Sequence, residues 1–256
     1  MVNWTHALII FLILHFLVYP ASNGYNSYMD RDTTPIGGVK NPLQPTRELY
    51  LVTLVMDVVA VMVGLFISIY FSIGVLAYIL ASRAYSYRGI RLKKYPIAGY
   101  LTVIFFQGAV TFFLAYHGAS ADKTVDVPVT AMLAAASLIG GYYPLTQIYQ
   151  HKEDKDDGVI TISYMLGKRG TFIFCGIVFA MATLNMFFLY NSKSDLQSYW
   201  IFIICMLPMV WFFLNWMRKV WRDESRADYQ NSFIMNILAA ACTTICFTIL
   251  IIKNHI

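Results

Sequence analysis

Residues 150–158 read Gln150-His151-Lys152-Glu153-Asp154-Lys155-Asp156-Asp157-Gly158. This charged stretch separates two apolar runs, 127–149 and 170–190, each long enough to cross a hydrocarbon core of roughly 30 Å as a helix of about 20 residues. A charged turn between two such runs places the turn in water and both runs in lipid. The same alternation extends over the whole chain. Membrane-spanning helices are predicted at 4–21, 48–66, 68–86, 96–117, 127–149, 170–190, 198–218 and 231–252. The second and third run together and divide near Gly64–Ser68. The composition agrees: 58% hydrophobic, 16% aromatic and 13% charged, with a mean hydropathy of +0.58, far more apolar than a soluble domain. The expected fold is an all-α polytopic transmembrane bundle of about eight spans, forming one domain over 1–256.

Basic residues give the orientation. Of the 19 Lys and Arg residues, only Lys123, Lys193 and Lys253 fall in the connections of one side and the C-terminal tail. The others cluster in the alternate connections at 21–47, 83–95, 149–169 and 218–230, which the positive-inside rule puts on the cytoplasmic side. That accounts for the net charge of +5, and no nucleic-acid signal is present. The first apolar run lacks a basic flank, so it reads as a membrane helix and not as a cleaved signal. Cys175, Cys205, Cys242 and Cys246 lie inside predicted spans with no His or carboxylate beside them, as packing residues do.

Two acidic clusters share the cytoplasmic side. In the first, Asn26 and Asp30 are four residues apart, one face of a helix, with Asp32 just beyond. In the second, Gln150 and Asp154 repeat that spacing, and Glu153 and Asp157 form another such pair. Amide and carboxylate oxygens suit Mg2+, which keeps waters and completes its shell with phosphate oxygens. A solvated helix end would carry the same residue types. Elsewhere, Asp57 falls near the middle of the second span, where an ionised group faces the bundle interior and takes a polar partner or orients a ligand. His15, Gln107, His117, Asn185 and Asn236 read as hydrogen-bonding residues between helices. Gly140-Gly141 and Pro144 are expected to kink the fifth span or to pack it closely.

The continuation of the second cluster carries a resemblance. Asp154, Gly158, Thr161 and Leu166-Gly167 are similar to the second motif of the UbiA-type intramembrane prenyltransferases, and Asn26 and Asp30 to the first. Tyr85-Ser86-Tyr87-Arg88-Gly89-Ile90-Arg91-Leu92-Lys93 resembles a third element of that family. The chain departs from the pattern in three places. Thr34 stands where the first motif ends in Asp, with Asp32 nearby as a stand-in. Gln150 replaces the first Asp of the second motif, and Arg88-Gly89 replaces a pair of prolines. The family norm is nine helices with the first motif after the second of them. Here it follows the first span, so one N-terminal helix of the plan has no counterpart in the expected topology.

The resemblance implies Mg2+-dependent transfer of a polyprenyl group from an allylic diphosphate to a small acceptor, commonly an aromatic quinone precursor. It implies a metal–diphosphate set of Asn26, Asp30, Asp32, Gln150 and Asp154, with Glu153 and Asp157 as further candidates. Asp30 and Asp154 would be catalytic, joined by Arg91 and Lys93 as cations on the departing pyrophosphate. Lys40, Arg47 and Lys152 would be helpers, and Tyr85 would line the substrate pocket. Arg88, Lys94 and Lys168 read as surface charge that sets topology. Thr34 and Gln150 leave room for a cyclase-like or catalytically altered member. A multi-pass cation-binding transporter is the rival class, but such proteins gather ionisable groups near the midplane, where this chain offers Asp57.

Overall fold

A computed structural model describes residues 1–254, and they form a helical bundle with no β-strand among them. The helices are α1 (Trp4–Asp30), α2 (Arg47–Gly64), α3 (Ile69–Ser86), α4 (Pro96–Ala119), α5 (Val129–Gln147), α6 (His151–Asp156), α7 (Ile162–Ser192), α8 (Leu196–Arg222) and α9 (Tyr229–Lys253). Among the described residues, seven of these are long and apolar enough to cross a membrane. Helix α2 is similar in length to α3 but carries Arg47, Glu48 and Asp57, and it packs against α1 and α3. α1 and α4 each contain a π-helical segment, at Ile13–Val18 and Ile104–Val110. The expected division of the second and third spans is present. Ser68 caps α3 by accepting a hydrogen bond from the Phe71 amide at 3.0 Å, and Ser72 donates to the Val61 carbonyl at 2.8 Å, closing an α2–α3 hairpin.

Two packed clusters hold the bundle. Ile13, Val18, Ala60, Phe71, Val75 and Leu114 knit α1 to α4 together. Leu145, Phe172, Cys175, Phe213, Trp216 and Met235 do the same for α5, α7, α8 and α9. Large apolar residues such as Phe66, Ile73, Ile204 and Trp211 remain on the outside, as lipid-facing positions require. Cys175, Cys242 and Cys246 are buried and unbonded, which matches the packing reading.

Helix α5 links the two halves through its small residues. A Cβ on Gly141 would lie 2.6 Å from the Phe179 ring of α7. α5 continues unbroken over Val129–Gln147 with Pro144 inside it, so Gly141 serves close helix approach. Gly141→Ala is therefore expected to destabilise the bundle by about 1–3 kcal/mol, read as a lower thermal transition in detergent.

The motif residues after α6 build a joint. Gly158 takes φ +69°, Thr161 caps α7 by accepting from the Tyr164 amide at 3.2 Å, and Gly167 breaks α7 at φ +68°. The spacing Gly158…Thr161…Gly167 thus marks a turn, a cap and a break that return the chain from the charged end of the bundle.

Candidate functional site

Helix α1 stops at Asp30 because Arg31 adopts the left-handed conformation (φ 57°) and donates its amide back to Ser27 at 2.9 Å. This presents Asn26 and Asp30 on one face of the last turns. Helix α6 presents Glu153 and Asp154 toward them. Asn26, Asp30, Asp32, Tyr85, Lys93, Gln150, Glu153, Asp154 and Asp157 all line one cavity of ≈ 430 Å³. Residues 36–39 also line it, and Gln150 reaches this loop by donating Nε2 to the Pro35 carbonyl at 3.4 Å. Asp32 lines the cavity and Thr34 does not.

Cations and carboxylates interleave here. Lys93 pairs with Asp30, and Arg91 lies 3.9 Å from the same carboxylate. Arg91, 8% exposed and itself at φ 52°, pairs with Asp157 and donates Nη1 to the Asp157 carbonyl at 3.1 Å. Arg88 donates to the other Asp157 oxygen at 3.3 Å and to the Met29 carbonyl at 2.9 Å. Arg88 thus bridges the two motifs, where the sequence suggested only a topology-setting charge. Burial opposes ionisation of Asp157, but Arg91 and Arg88 hold its carboxyl below the usual range.

Asp154 is in the opposite condition. Its Oδ2 is buried and has no hydrogen-bond partner among the described residues. Burial pushes its carboxyl up to about 7, with Lys93 pulling it back and Asp30, Asp32 and Glu153 adding to the rise. Asp32 is raised as well, by burial first and then by Asp30. Among the described residues no three His, Cys, Asp or Glu side chains close into a metal cage. The oxygens instead line an open cavity, an arrangement that suits a cation sharing its shell with a phosphate ligand.

Several residues in this network were not anticipated from spacing. Ser86 donates to Asn26 Oδ1 at 2.8 Å and fixes the amide. Tyr85 and Tyr143 join their hydroxyls, and Gln147 donates Nε2 to the Tyr143 hydroxyl at 2.8 Å. His151 bonds Ser163 at 2.8 Å, and Ser163 bonds Thr171 at 3.0 Å, tying α6 to the start of α7. Burial, with Lys168 behind it, lowers His151 to about 4, so it is neutral at ordinary pH. Tyr85 was expected at the pocket from the third element, but Tyr143 and His151 carried no motif signal, because what gives them a role is contact with residues distant in sequence. Lys40, Arg47 and Lys152 are exposed and do not line the cavity. Lys94 stacks on Tyr95, and Lys168 donates to the Glu224 carbonyl at 3.0 Å. Gln107, expected between helices, reaches Tyr78 of α3 and also lines the cavity from the π-helical segment of α4.

No curated protein matches the chain. Solved structures match over 96% of it. A UbiA homologue from Archaeoglobus fulgidus bound to GPP and Mg2+ has 17% identity, a TM-score of 0.69 and 88% of its own chain covered. The same homologue bound to DMAPP and Mg2+ gives 18%, 0.64 and 88%. A structure of digeranylgeranylglyceryl phosphate synthase gives 18%, 0.63 and 86%. At these identities the likeness concerns the fold. The family model of the UbiA prenyltransferase family matches residues 1–238, nearly the full chain. With this match over the bundle that holds the two motifs, the chain belongs to the UbiA prenyltransferase family.

Proposed function

We propose that this chain transfers a polyprenyl group from an allylic diphosphate to an aromatic acceptor in the membrane, with Mg2+, at the cavity between α1 and α6. The observation that carries the reading is the free, buried Asp154 Oδ2 in a cavity that also holds Asp30, Asp32 and Lys93. A buried carboxylate oxygen without a partner is costly, and a cation relieves it. The donor set is all oxygen and fits Mg2+. Asn26, Asp30, Asp32, Gln150 and Asp154 would hold the ion with the diphosphate, as the family's Mg2+- and GPP-bound relative suggests. Bound there, Mg2+ supplies positive charge against the diphosphate oxygens.

The chain's own side chains do the rest. Lys93, and Arg91 behind it, offset the charge that gathers on the leaving pyrophosphate as the allylic carbon–oxygen bond breaks and its electron pair leaves with oxygen. The new bond forms from the acceptor to that carbon, and the acceptor loses a proton. Tyr78, Tyr85, Phe106 and Tyr143 wall the inner cavity and exclude water, which would otherwise capture the carbocation. The basic connections support a cytoplasmic mouth.

The test uses membranes containing the protein, labelled geranyl or geranylgeranyl diphosphate, and a panel of phenolic and naphthoic acceptors. Donor consumption that requires Mg2+ and yields prenylated product supports transfer. Lys93→Gln should lower it by about 10²-fold. Absence of any Mg2+-dependent donor binding overturns the reading.

A further inference from the structure

Beyond the acidic mouth, one cavity residue holds an unused hydrogen-bonding atom. Gln147 is 7% exposed and sits in the last turn of α5, one turn before Gln150. Its Nε2 is committed to the Tyr143 hydroxyl at 2.8 Å, which sets the orientation of the amide. Its Oε1 is buried and has no partner among the described residues. Tyr143 in turn meets Tyr85, so the amide is tied to side chains from two helices. Gln147 lines the cavity, so an unpartnered carbonyl oxygen belongs to its wall. An oxygen in that state selects a ligand group that donates a hydrogen bond.

The diphosphate donor brings no such group, because its oxygens are acceptors and its prenyl tail is apolar. The acceptor does. Building on the prenyl-transfer reading above, we propose that Gln147 is the specificity-determining residue for the acceptor, its Oε1 receiving a hydrogen bond from a hydroxyl on an aromatic ring. A ring hydroxyl held this way also pushes electron density into the ring and fixes which ring carbon faces the allylic carbon. An otherwise identical methyl ether would leave Oε1 unpaired in a dry site. Sites of this kind reject the analogue that lacks the donor far more strongly than they reject a change of apolar bulk.

The measurement is equilibrium binding to the purified full chain in detergent, with Mg2+ and the unreactive thiolo analogue of geranyl diphosphate present. The probes are a naphthol and a hydroxybenzoate, each beside its methyl ether. The wild type should prefer each hydroxyl over its ether by about 10- to 100-fold. In Gln147→Met, close in shape and without the carbonyl, the preference should fall to about threefold or less while the donor analogue still binds. Tyr143→Phe releases the amide nitrogen and should give an intermediate preference, which a purely structural role would leave unchanged. An equal affinity of the wild type for hydroxyl and ether overturns the proposal, as does an unchanged preference in Gln147→Met. Loss of analogue binding in that variant would place Gln147 in the metal–diphosphate site and also overturn it. Failure of the wild type to bind the donor analogue would instead sink the donor reading and this inference together.

Discussion

Asp154→Asn is expected to lower Mg2+-dependent donor turnover by about 10²–10³-fold, since it removes a site carboxylate whose buried oxygen has neither a hydrogen-bond partner nor an ion pair among the described residues. The same substitution should erase a pH dependence. In the folded chain the Asp154 carboxyl ionises at about 7, against an ordinary 3.8, chiefly because it is buried. Below pH 7 it therefore carries a proton that a metal ion must displace. The affinity of the wild type for Mg2+ should rise about tenfold per pH unit up to near 7 and level off above it. The sign for stability is opposite. Between pH 3.8 and about 7 the folded chain holds a proton that the unfolded chain has released, so the metal-free protein loses stability as pH rises through that window. Mg2+ should offset this loss above pH 7. Titration calorimetry over pH 5.5–8.5 reads the affinity, with the Asn variant expected to show a flat profile.

The legible part of the site was the part written as local spacing. Asn26 and Asp30 share a face because they are one helical turn apart, and the structure places both on the cavity wall. Gly158, Thr161 and Gly167 were legible only as a family resemblance, and the structure supplies the physical reason: a positive-φ turn, a cap and a break each demand a residue type at a fixed position. Spacing also put Asp157 among the metal candidates, but its role depends on partners from elsewhere. Both of its carboxylate oxygens face guanidinium groups from the connection after α3. The same blindness hid Ser86, Tyr143 and Gln147, whose meaning lies in what the neighbouring helices place opposite them. Lys40 and Arg47 were drawn in by charge and sequence proximity, yet their side chains project into solvent. The all-α bundle was legible because hydropathy is summed over a whole helix, and seven of the eight expected spans are long and apolar enough to cross a membrane among the described residues. Its ambiguous member, α2, is the helix whose charge is neutralised by a residue read from sequence as part of a loop.

That residue is Arg83, and the pair it forms with Asp57 should give the largest stability effect in the bundle. By charge, Arg83 counts with the basic connection at 83–95, although the predicted span runs to 86; α3 does run to Ser86, and Arg83 lies within it with its guanidinium turned inward. It pairs with Asp57 of α2, donates to Thr53 at 3.2 Å and lies 3.9 Å from the centre of the Tyr25 ring of α1. Both charged side chains are nearly enclosed, 16% and 12% exposed, so water screens them little. Asp57→Ala leaves an unpaired guanidinium among apolar helices and is expected to cost about 3–5 kcal/mol. Arg83→Met leaves the carboxylate instead, but a lone carboxyl can take up a proton, so its cost should be the smaller of the two. The double variant Asp57→Leu/Arg83→Met removes both charges and should recover most of the loss, because buried pairs exchange for apolar residues at little net cost. Thermal unfolding of the four proteins in one detergent forms the cycle, and purely additive losses would mean that the pair contributes no coupling. Tyr25 adjoins Asn26, so the guanidinium that closes α2 on α3 also braces the turn of α1 that carries the first motif. Donor binding should therefore weaken in Asp57→Ala even where the fold survives, and Thr53→Ala, which removes only a neutral partner of Arg83, should leave it nearly unchanged.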